Sequence, residues 1–504
     1  MINYLEYAKT SIDCYVVVPG EGAAAEWFRV HDIKCFVIPF SRGYGRIGKT
    51  TAKEADLYFS DNYEAAQKIA DIIRQERIDI VHSNSSVSDV GAIAAMLSGA
   101  GHVWHVRELM EEDFDVEYYD KNLKKALFEA SDSVISISDT VRESLQKKYS
   151  IKSSRIYNGV RLCGLDNIDK KNNSEFIFVG KITENKGQFD AAYAAKELIN
   201  RGVKDFKIYF LGGGSPKAIW AIKRYLTENR LERNIELVPF TNDISYWREK
   251  CGYAIVGSKC EALGRITIEA MAAGNIPIGS NSGGTLELIG DEKRGLLYNF
   301  GDYCGLAYQM EKAMSMSSEE RAKIEKAMKS YVYNTFSIEK YSEKILSVYK
   351  DVISNSPNDI KRKRIIEYLD NRYGMISATK KQEVRNNDVL KEQCLNNLNS
   401  ILIFLQVHRI GKVVIYGMGE VGCALYDYIS THGIQIGAVM DEDDGLLSRV
   451  TQTIKVGEGL HDAECILVST IREEKMIMDT LQSYYDIPVY GLASIIGMEN
   501  EKSN

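Results

Sequence analysis

The sequence predicts an α/β chain built of layered domains with parallel sheets, and two observations favour this class. Short runs of consecutive apolar residues, each bounded by turn residues, are typical of strands that are buried on both faces of a parallel sheet. Amphipathic helical segments such as EAAQKIADIIRQ (64–75) lie between the runs, and this alternation favours helices layered on a sheet. The alternation occurs in three series, and 504 residues agree with about three domains of roughly 150 residues each.

The predicted strands of the first series span 14–19, 35–40, 78–83, 102–106 and 133–138. Those of the second series span 176–180, 207–212, 235–240, 253–258 and 276–280, and two long helical patterns close the series near residue 353. After a polar, helix-periodic stretch, a third series spans 412–417, 434–441, 464–470 and 487–492. We therefore predict an N-terminal domain over 1–165, a second domain over 166–354, a partly helical linker over 355–405 and a small module over 406–504.

Composition excludes several classes of protein. With 45% hydrophobic and 26% charged residues, the chain is neither disordered nor fibrous. No run approaches the ~20 apolar residues of a membrane span, and the first residues lack a secretory pattern, so we expect a cytoplasmic protein. The net charge of −7 gives no general attraction for nucleic acid, so phosphate groups must bind at local sites. Nine cysteines are scattered without CxxC or zinc spacing, which indicates reduced thiols and no structural metal.

The strongest candidate site lies in KCEALGRITIEAMAAGNIPIGSNSGGTLELI (259–289). Glu261 follows a predicted strand, at the edge where parallel sheets bind ligands. Gly264 allows close backbone approach, and the amides of Arg265 and Ile266 open a helix whose N-terminus attracts phosphate. Glu269, one turn into that helix, can accept hydrogen bonds from a ribose diol. Taken alone, two such glutamates are more often acids that only complement a helix dipole, since pairs of this kind are common.

A second candidate site lies in FVGKITENKG (178–187). Lys181 and Lys186 flank a short loop after a predicted strand, and two ammonium groups there can neutralise a diphosphate. The alternative is a pair of surface lysines around a turn. Because both candidate sites follow strands of one predicted sheet, they share its ligand-binding edge, and this shared placement favours a functional site.

These residues resemble the retaining glycosyltransferases of family 4, which adopt the GT-B fold of two facing Rossmann-like domains. The matching text is GKITENKG, EALGRITIEAMAAGNIPIGSNSGGTLELI, and, in the first domain, IVHSNSS, WHVREL, SISD and RIYNGV. The resemblance covers roughly residues 13–350. It implies a GT-B-like pair of Rossmann-like domains with parallel sheets, followed by the smaller C-terminal α/β module.

The resemblance also implies a role for each matched residue. Lys181 and Lys186 would hold the donor's diphosphate, and Glu261 would contact the transferred sugar with help from the amides around Gly264–Ile266. Glu269 would bind the ribose, and His105 would face the sugar across the cleft. The residues that match the loop after the next strand are Gly283, Gly284 and Glu287.

The implied reaction moves a sugar from a nucleoside-diphosphate donor with retention at the anomeric carbon. No carboxylate pair is needed, unlike in glycosidases, because the leaving diphosphate is stabilised electrostatically. The resemblance implies no metal or other required cofactor. It implies a glycan or lipid-linked acceptor at the inner membrane face, in bacterial surface polysaccharide synthesis.

One departure from the family concerns the start of the chain. The opening INYLEYAKTSIDCYVVVP resembles the end of the family's first helix and its second strand, so the first strand and its glycine-rich loop are expected to be missing. Three explanations stay open: a shortened start, a need for a partner, or lost activity. The competing hypothesis is therefore a non-catalytic partner that binds a sugar nucleotide or scaffolds another glycosyltransferase.

GYGRIGKT (43–50) satisfies the phosphate-loop pattern, with Lys49 and Thr50 in the lysine and metal-ligand places. It raises a nucleotide hydrolase as a minor alternative, with Asp139 after VISIS as its acidic strand end. Within the glycosyltransferase interpretation, Arg42, Arg46 and Lys49 would instead meet phosphates of the acceptor.

Two further features lie after the matched region. GMGEVG supplies Gly417, Gly419 and Gly422 between a strand and a helix, and Asp441 ends the next strand, as a dinucleotide fingerprint requires. The alternative for this half-fold is a structural or docking role. The basic run Lys361–Arg364 either contacts anionic lipid headgroups or forms a solvated helix start.

Overall fold

The computed structural model describes residues 2–8, 10–160, 172–241, 243–290, 292–355, 359–441, 453–460, 462–470 and 474–496. The chain forms two compact units, Met1–Tyr373 and Gly374–Asn504. Among the described residues, no helix is long and apolar enough to cross a membrane.

The first unit begins with a domain whose strands lie in separate sheets. Its strands are β1 (Tyr15–Val18), β2 (Lys34–Val37), β3 (Tyr44–Arg46), β4 (Ile80–Ser83), β5 (Gly101–Val106), β6 (Val116–Tyr118), β7 (Ser133–Ser136) and β8 (Ser154–Arg155). Its helices are α1 (Ile2–Ala8), α2 (Ala23–Val30), α3 (Ala52–Gln75), α4 (Val90–Ser98), α5 (Met110–Phe114), α6 (Lys121–Ala130) and α7 (Asp139–Tyr149). Strands β4-β5-β7-β8 form a parallel sheet, β1 and β2 a parallel pair, and β3 and β6 an antiparallel ribbon.

The second domain is built on one six-stranded parallel sheet of order β11-β10-β9-β12-β13-β14. Its strands are β9 (Asn172–Val179), β10 (Lys207–Leu211), β11 (Ile235–Val238), β12 (Cys251–Val256), β13 (Ile276–Ser280) and β14 (Leu296–Tyr298). The helices are α8 (Gln188–Asn200), α9 (Pro216–Glu228), α10 (Ile244–Lys250), α11 (Arg265–Ala272), α12 (Gly283–Ile289), α13 (Tyr303–Ser315), α14 (Ser318–Thr335) and α15 (Ile338–Ser354). Strand β12 is buried at every position, as expected for a central parallel strand.

The last helices and the second unit complete the chain. Helices α16 (Asp359–Asn396) and α17 (Leu398–Val407) precede a parallel sheet of order β16-β15-β17-β18. Its elements are β15 (Lys412–Tyr416), α18 (Glu420–Ser430), β16 (Gln435–Met440), β17 (Cys465–Val468), α19 (Glu474–Tyr484) and β18 (Val489–Gly491). Asp441 follows β16 directly, and residues 442–444 after it lie outside the described residues.

The predicted α/β class and every predicted strand are confirmed, with shifts of a few residues at the ends. The antiparallel ribbon β3–β6 was not predicted, because strands of three residues are too short for a readable pattern. Among the described strands, β1 pairs only with β2 and β4 only with β5. The expected loss of a first strand stays a prediction.

The start of α16 belongs to the first unit and packs against its N-terminal domain. Arg362 is 4% exposed and forms a 2.5 Å ion pair with Asp132. Arg372 forms ion pairs with Asp120 and Asp56 at 2.8 and 3.1 Å. Arg362 is therefore buried in protein and is not available to a lipid headgroup.

Candidate functional site

The candidate residues of the second domain follow the carboxyl ends of neighbouring parallel strands. Lys181 follows β9, Glu261 follows β12, and Gly283 and Gly284 follow β13. Since all strands of this sheet are parallel, these residues lie at one edge. That edge is where open α/β sheets bind ligands.

An ion pair between Lys186 and Glu261 is the centre of the site. Lys186 Nζ donates to Glu261 Oε1 at 2.7 Å, and Ser258 Oγ donates to the same oxygen at 2.6 Å. The Lys186 side chain is 34% exposed, and its ammonium has three donors. The pair can therefore remain formed while Lys186 donates to a bound anion and Glu261 Oε2 accepts from a ligand hydroxyl.

Glycines pack the loop after β13 against the loop that carries Glu261. The amide of Gly284 donates to the carbonyl of Glu261 at 2.7 Å. A Cβ at Gly283 would lie 2.7 Å from the same carbonyl oxygen, and one at Gly284 would lie 2.5 Å from Leu263. Any larger residue would therefore push the loops apart and displace Glu261.

Gly264 opens helix α11 in the left-handed conformation, with φ 80° and ψ 59°. No side chain caps this helix. The amides of Arg265 and Ile266, the first of α11, can therefore bind an anionic ligand oxygen. A left-handed residue favours glycine, so Gly264 lets the loop turn into the helix without a side chain above these amides.

Glu269 is held by two arginines. Arg248 Nη2 contacts Glu269 Oε2 at 2.5 Å, and Arg265 Nε contacts Oε1 at 3.3 Å. The Arg248 side chain is 16% exposed whereas that of Arg265 is 73% exposed. Arg248 is thus the partner that orients the carboxylate, because exposed ion pairs contribute little.

A cavity of about 450 Å³ opens at the same sheet edge. Its lining residues come from the ends of β9, β10 and β11 and from the start of α10: Val179, Gly180, Lys181, Leu211, Gly212, Gly213, Gly214, Phe240, Thr241 and Ile244. Phe240 is 79% exposed, so its ring stands free at the rim. The cavity is large enough for a nucleoside, and Lys181 is its cationic side chain.

Helix α12 joins the two domains of the first unit through Glu287. Its carboxylate accepts from the amides of Asp139 and Thr140 at 2.9 and 3.0 Å and from the Tyr157 hydroxyl at 2.5 Å. Burial and the neighbouring Glu287 raise the pKa of Tyr157. Glu287 therefore holds the N-terminus of α7 rather than a ligand.

His105 lies on strand β5 of the first domain. It has no exposed surface, and its Nδ1 lies 3.3 Å from Nη2 of Arg107, which also reaches Asn158 at 2.6 Å. Burial, with Arg107 as a smaller cause, lowers the pKa of His105 well below its ordinary value. The imidazole is thus fully enclosed by protein in this structure.

The phosphate-loop pattern at 43–50 has a different local structure. Strand β3 belongs to the antiparallel ribbon, not to the parallel sheet. Helix α3 begins after it with a capping box between Thr51 and Glu54, which satisfies amides that a phosphate would need. Residues 43–50 therefore do not form a loop between a strand of the parallel sheet and a helix, which a phosphate loop requires.

In the second unit, the glycine fingerprint forms a tight turn. Gly417 has φ 89°, and a Cβ at Gly422 would overlap the carbonyl oxygen of Gly417. The amide of Met418 donates to the carboxylate of Asp441. Gly419 opens α18 without a capping side chain. Dinucleotide binding here stays a prediction.

Sequence reasoning missed Ser258, Arg248, Phe240 and Tyr157 as site residues. Arg248 and Tyr157 reach their glutamates only through packing of distant segments, so no local pattern marks them. Phe240 had a weak signal, since an aromatic residue that ends a predicted strand stands at the ligand edge. Among the described residues, no group of three or more His, Cys, Asp or Glu side chains could hold a metal ion.

Two families match the first unit. Residues 6–162 match the family described as Glycosyltransferase Family 4, and residues 166–331 match Glycosyl transferases group 1. The first match ends at residue 162 and the second begins at residue 166.

Curated relatives are similar over different lengths. An uncharacterised glycosyltransferase of Methanocaldococcus jannaschii is 27% identical over 45% of this chain and 62% of that protein. The N-acetyl-alpha-D-glucosaminyl L-malate synthase of Bacillus anthracis is 23% identical over 69% of this chain and 98% of that protein. The capsular polysaccharide biosynthesis glycosyltransferase CapM of Staphylococcus aureus is 24% identical over 60% of this chain and 84% of that protein.

Solved structures show the same fold. A glycosyltransferase of Rickettsia africae has a TM-score of 0.59 at 21% identity, covering 70% of this chain and 94% of that one. Anabaena Alr3699/HepE in complex with UDP has a TM-score of 0.56 at 17% identity, covering 69% and 95%. The predicted GT-B fold is confirmed by these neighbours.

Proposed function

We propose that this chain transfers a sugar from a nucleoside-diphosphate donor to a hydroxyl acceptor with retention of anomeric configuration. The proposal concerns residues 6–162 and 166–331, which are of the glycosyltransferase family 4 and GT-B type. The observation that carries the proposal is the Lys186–Glu261 ion pair at 2.7 Å. It joins a cation suited to a diphosphate and an acid suited to sugar hydroxyls at one sheet edge.

The nucleotide half of the donor fits the cavity beside this pair. The base would enter the 450 Å³ cavity, with Phe240 as a stacking surface at its rim. Glu269, oriented by Arg248, would accept hydrogen bonds from the ribose. Lys181 lines the cavity and would bind the phosphate nearer the ribose. The complex of Anabaena Alr3699/HepE with UDP supports a uridine nucleotide as the first donor to test.

The sugar half would lie between Lys186 and Glu261. As the bond from the anomeric carbon to the diphosphate breaks, negative charge develops on the leaving oxygen. Lys186 and the amides of Arg265 and Ile266 are fixed before the reaction, so they stabilise that charge without reorganising. Glu261 Oε2 would orient the sugar through its hydroxyls. The proposal rests on these residues, because His105 is enclosed in this structure.

The acceptor is proposed to be a glycan or lipid-linked glycan of a surface polysaccharide, met at the inner membrane face. The similarity to CapM, a capsular polysaccharide glycosyltransferase, supports this class. Three exposed cationic side chains of the first domain are proposed to bind phosphate groups of such an acceptor: Arg42, Arg46 and Lys49.

The proposal is tested by thermal unfolding with UDP-glucose, UDP-N-acetylglucosamine, UDP-galactose and GDP-mannose. A ligand at 100 times its Kd adds about 2.7 kcal/mol to the free energy of unfolding, so one donor should raise the Tm by several degrees. Lys186→Ala should remove most of this shift, whereas the exposed Lys223→Ala on α9 should not. If none of the donors shifts the wild type, the donor-site assignment is wrong.

Turnover is tested separately with the donor that binds. Glu261→Ala should lower release of the nucleoside diphosphate at least tenfold, and NMR of the product should show the donor's anomeric configuration. Equal release by wild type and Glu261→Ala would overturn the catalytic assignment. Donor binding without turnover in wild type would identify the chain as the non-catalytic partner that the sequence left open.

A further inference from the structure

The loop between β12 and α11, which carries Glu261, is fixed through its carbonyl groups. Segment 280–284 of the same domain supplies three hydrogen bonds to these carbonyls: Ser280 Oγ donates to Ser258 at 2.5 Å, Ser282 Oγ to Lys259 at 2.6 Å and the Gly284 amide to Glu261 at 2.7 Å. These bonds lie within the second domain and hold the loop up to Glu261. The next carbonyl, that of Ala262, has a different kind of partner.

The carbonyl of Ala262 accepts its hydrogen bond from the first domain. The donor is the hydroxyl of Ser138, the residue that caps helix α7. Ser138 is 0% exposed and Ala262 is 8% exposed, so water does not replace this bond while the domains are in contact. The hydroxyl has a single proton to donate, and its oxygen accepts from the Val141 amide at 3.1 Å. Ser138 therefore joins the start of α7 directly to the residue after Glu261.

Glu287 holds the same end of α7 at a second point. It accepts from the amides of Asp139 and Thr140, the two residues after Ser138. Helix α7 is thus attached to the second domain both through Ala262 and through α12. Movement of α7 away from the second domain would break the bond to Ala262, and the loop would lose its contact on the side of the first domain.

We infer that Ser138 is a positioning residue for Glu261, and that the part of the site that binds the sugar is complete only when α7 contacts the second domain. The inference rests on the proposed function, in which Glu261 orients the transferred sugar. A buried carbonyl without a donor is unfavourable, so without the Ser138 hydroxyl the Ala262 peptide would turn and displace the Glu261 carboxylate. The cavity proposed to bind the base is lined by other segments, so nucleotide binding does not need this bond.

The test measures Kd by calorimetry, in the full chain, for the donor that gives the largest thermal shift and for its nucleoside diphosphate. In Ser138→Ala, the Kd for the nucleoside diphosphate should match that of the wild type, which also shows that the variant folds. The ratio of the donor Kd to the nucleoside diphosphate Kd should rise, because Glu261 no longer fits the sugar. Release of the nucleoside diphosphate, with water or glycerol as acceptor, should fall about tenfold or more, as expected when a positioned group is misplaced.

Ser317→Ala is the matched control, because it removes the hydroxyl that caps α14 and bonds to Glu320. It should lower the Tm as Ser138→Ala does, since both lose a helix cap, and keep the wild-type Kd ratio and rate. A wild-type ratio and rate in Ser138→Ala would overturn the inference alone, and so would an equal loss of affinity for the donor and its nucleoside diphosphate. Absence of donor binding in wild type would instead overturn the proposed function, and the inference with it.

Discussion

Glu287 accepts a 2.5 Å hydrogen bond from the hydroxyl of Tyr157 while its two oxygens also receive the first amides of helix α7. One carboxylate of the second domain thus caps a helix of the first. A helix N-terminus carries partial positive charge, so the carboxylate is favoured there over a neutral group.

Glu287→Gln should therefore loosen the contact between the domains. A neutral amide keeps the size of the side chain but loses charge-assisted bonds, which contribute about 1.5–3 kcal/mol. We expect a lower Tm and a larger radius of gyration by small-angle scattering. Glu236→Gln, at a half-exposed surface pair with Lys207, is the control and should change neither. An unchanged Tm in Glu287→Gln would show that the contacts of Glu287 do not hold the two domains together.

Arg248→Ala should weaken donor binding without slowing the chemical step. Without Arg248, the Glu269 carboxylate loses its buried partner and its fixed orientation. We expect the KM for the donor to rise about tenfold, or about 1.4 kcal/mol, with kcat nearly unchanged. Arg265→Ala removes the 73% exposed partner and should alter KM less than twofold. Equal effects of the two variants would contradict the assignment of Arg248 as the orienting residue.

Phe240→Ala should weaken binding of every nucleoside diphosphate. Stacking of a base on an aromatic side chain contributes about 1–3 kcal/mol, so Kd measured by calorimetry should rise at least fivefold. The fold should remain stable because the ring is 79% exposed. Trp220→Ala, with a ring that is 61% exposed and outside the cavity lining, is the control. Unchanged affinity in Phe240→Ala would show that the base does not bind in this cavity.

Gly422→Ala should destabilise the second unit alone. Its Cβ would overlap the carbonyl oxygen of Gly417, and overpacking of this kind costs roughly 3 kcal/mol. Gly419→Ala meets nothing within 4 Å and should be nearly neutral. Calorimetry should show a lower transition for the second unit in Gly422→Ala only, with the donor affinity of the first unit intact. A loss of donor affinity would contradict this independence.

The sequence was sufficient for the longer buried strands and for the edge at which the candidate site lies, but not for the strands of two or three residues. Continuous apolar runs such as YAIVGS (253–258) have few alternatives to a buried parallel strand. The direction of such strands then places Lys186 and Glu261 on one edge, and the structure joins them directly.

The partners of the site residues could not be predicted in the same way. Arg248 reaches Glu269 across 21 positions of sequence, and Tyr157 reaches Glu287 across 130. Such contacts depend on how helices pack on the sheet, and no local periodicity encodes that packing. The enclosure of His105 has the same origin, since Arg107 and Tyr341 cover it from different segments.

The arginines at the start of α16 determine where this polypeptide can be divided for separate study. A truncated chain that stops at residue 354 would lack Arg362 and Arg372, and would leave Asp132 and Asp120 without their cations. Recombinant fragments that contain the two family-matched domains should therefore extend to Tyr373. Limited proteolysis of the intact protein should spare the segment between these two arginines.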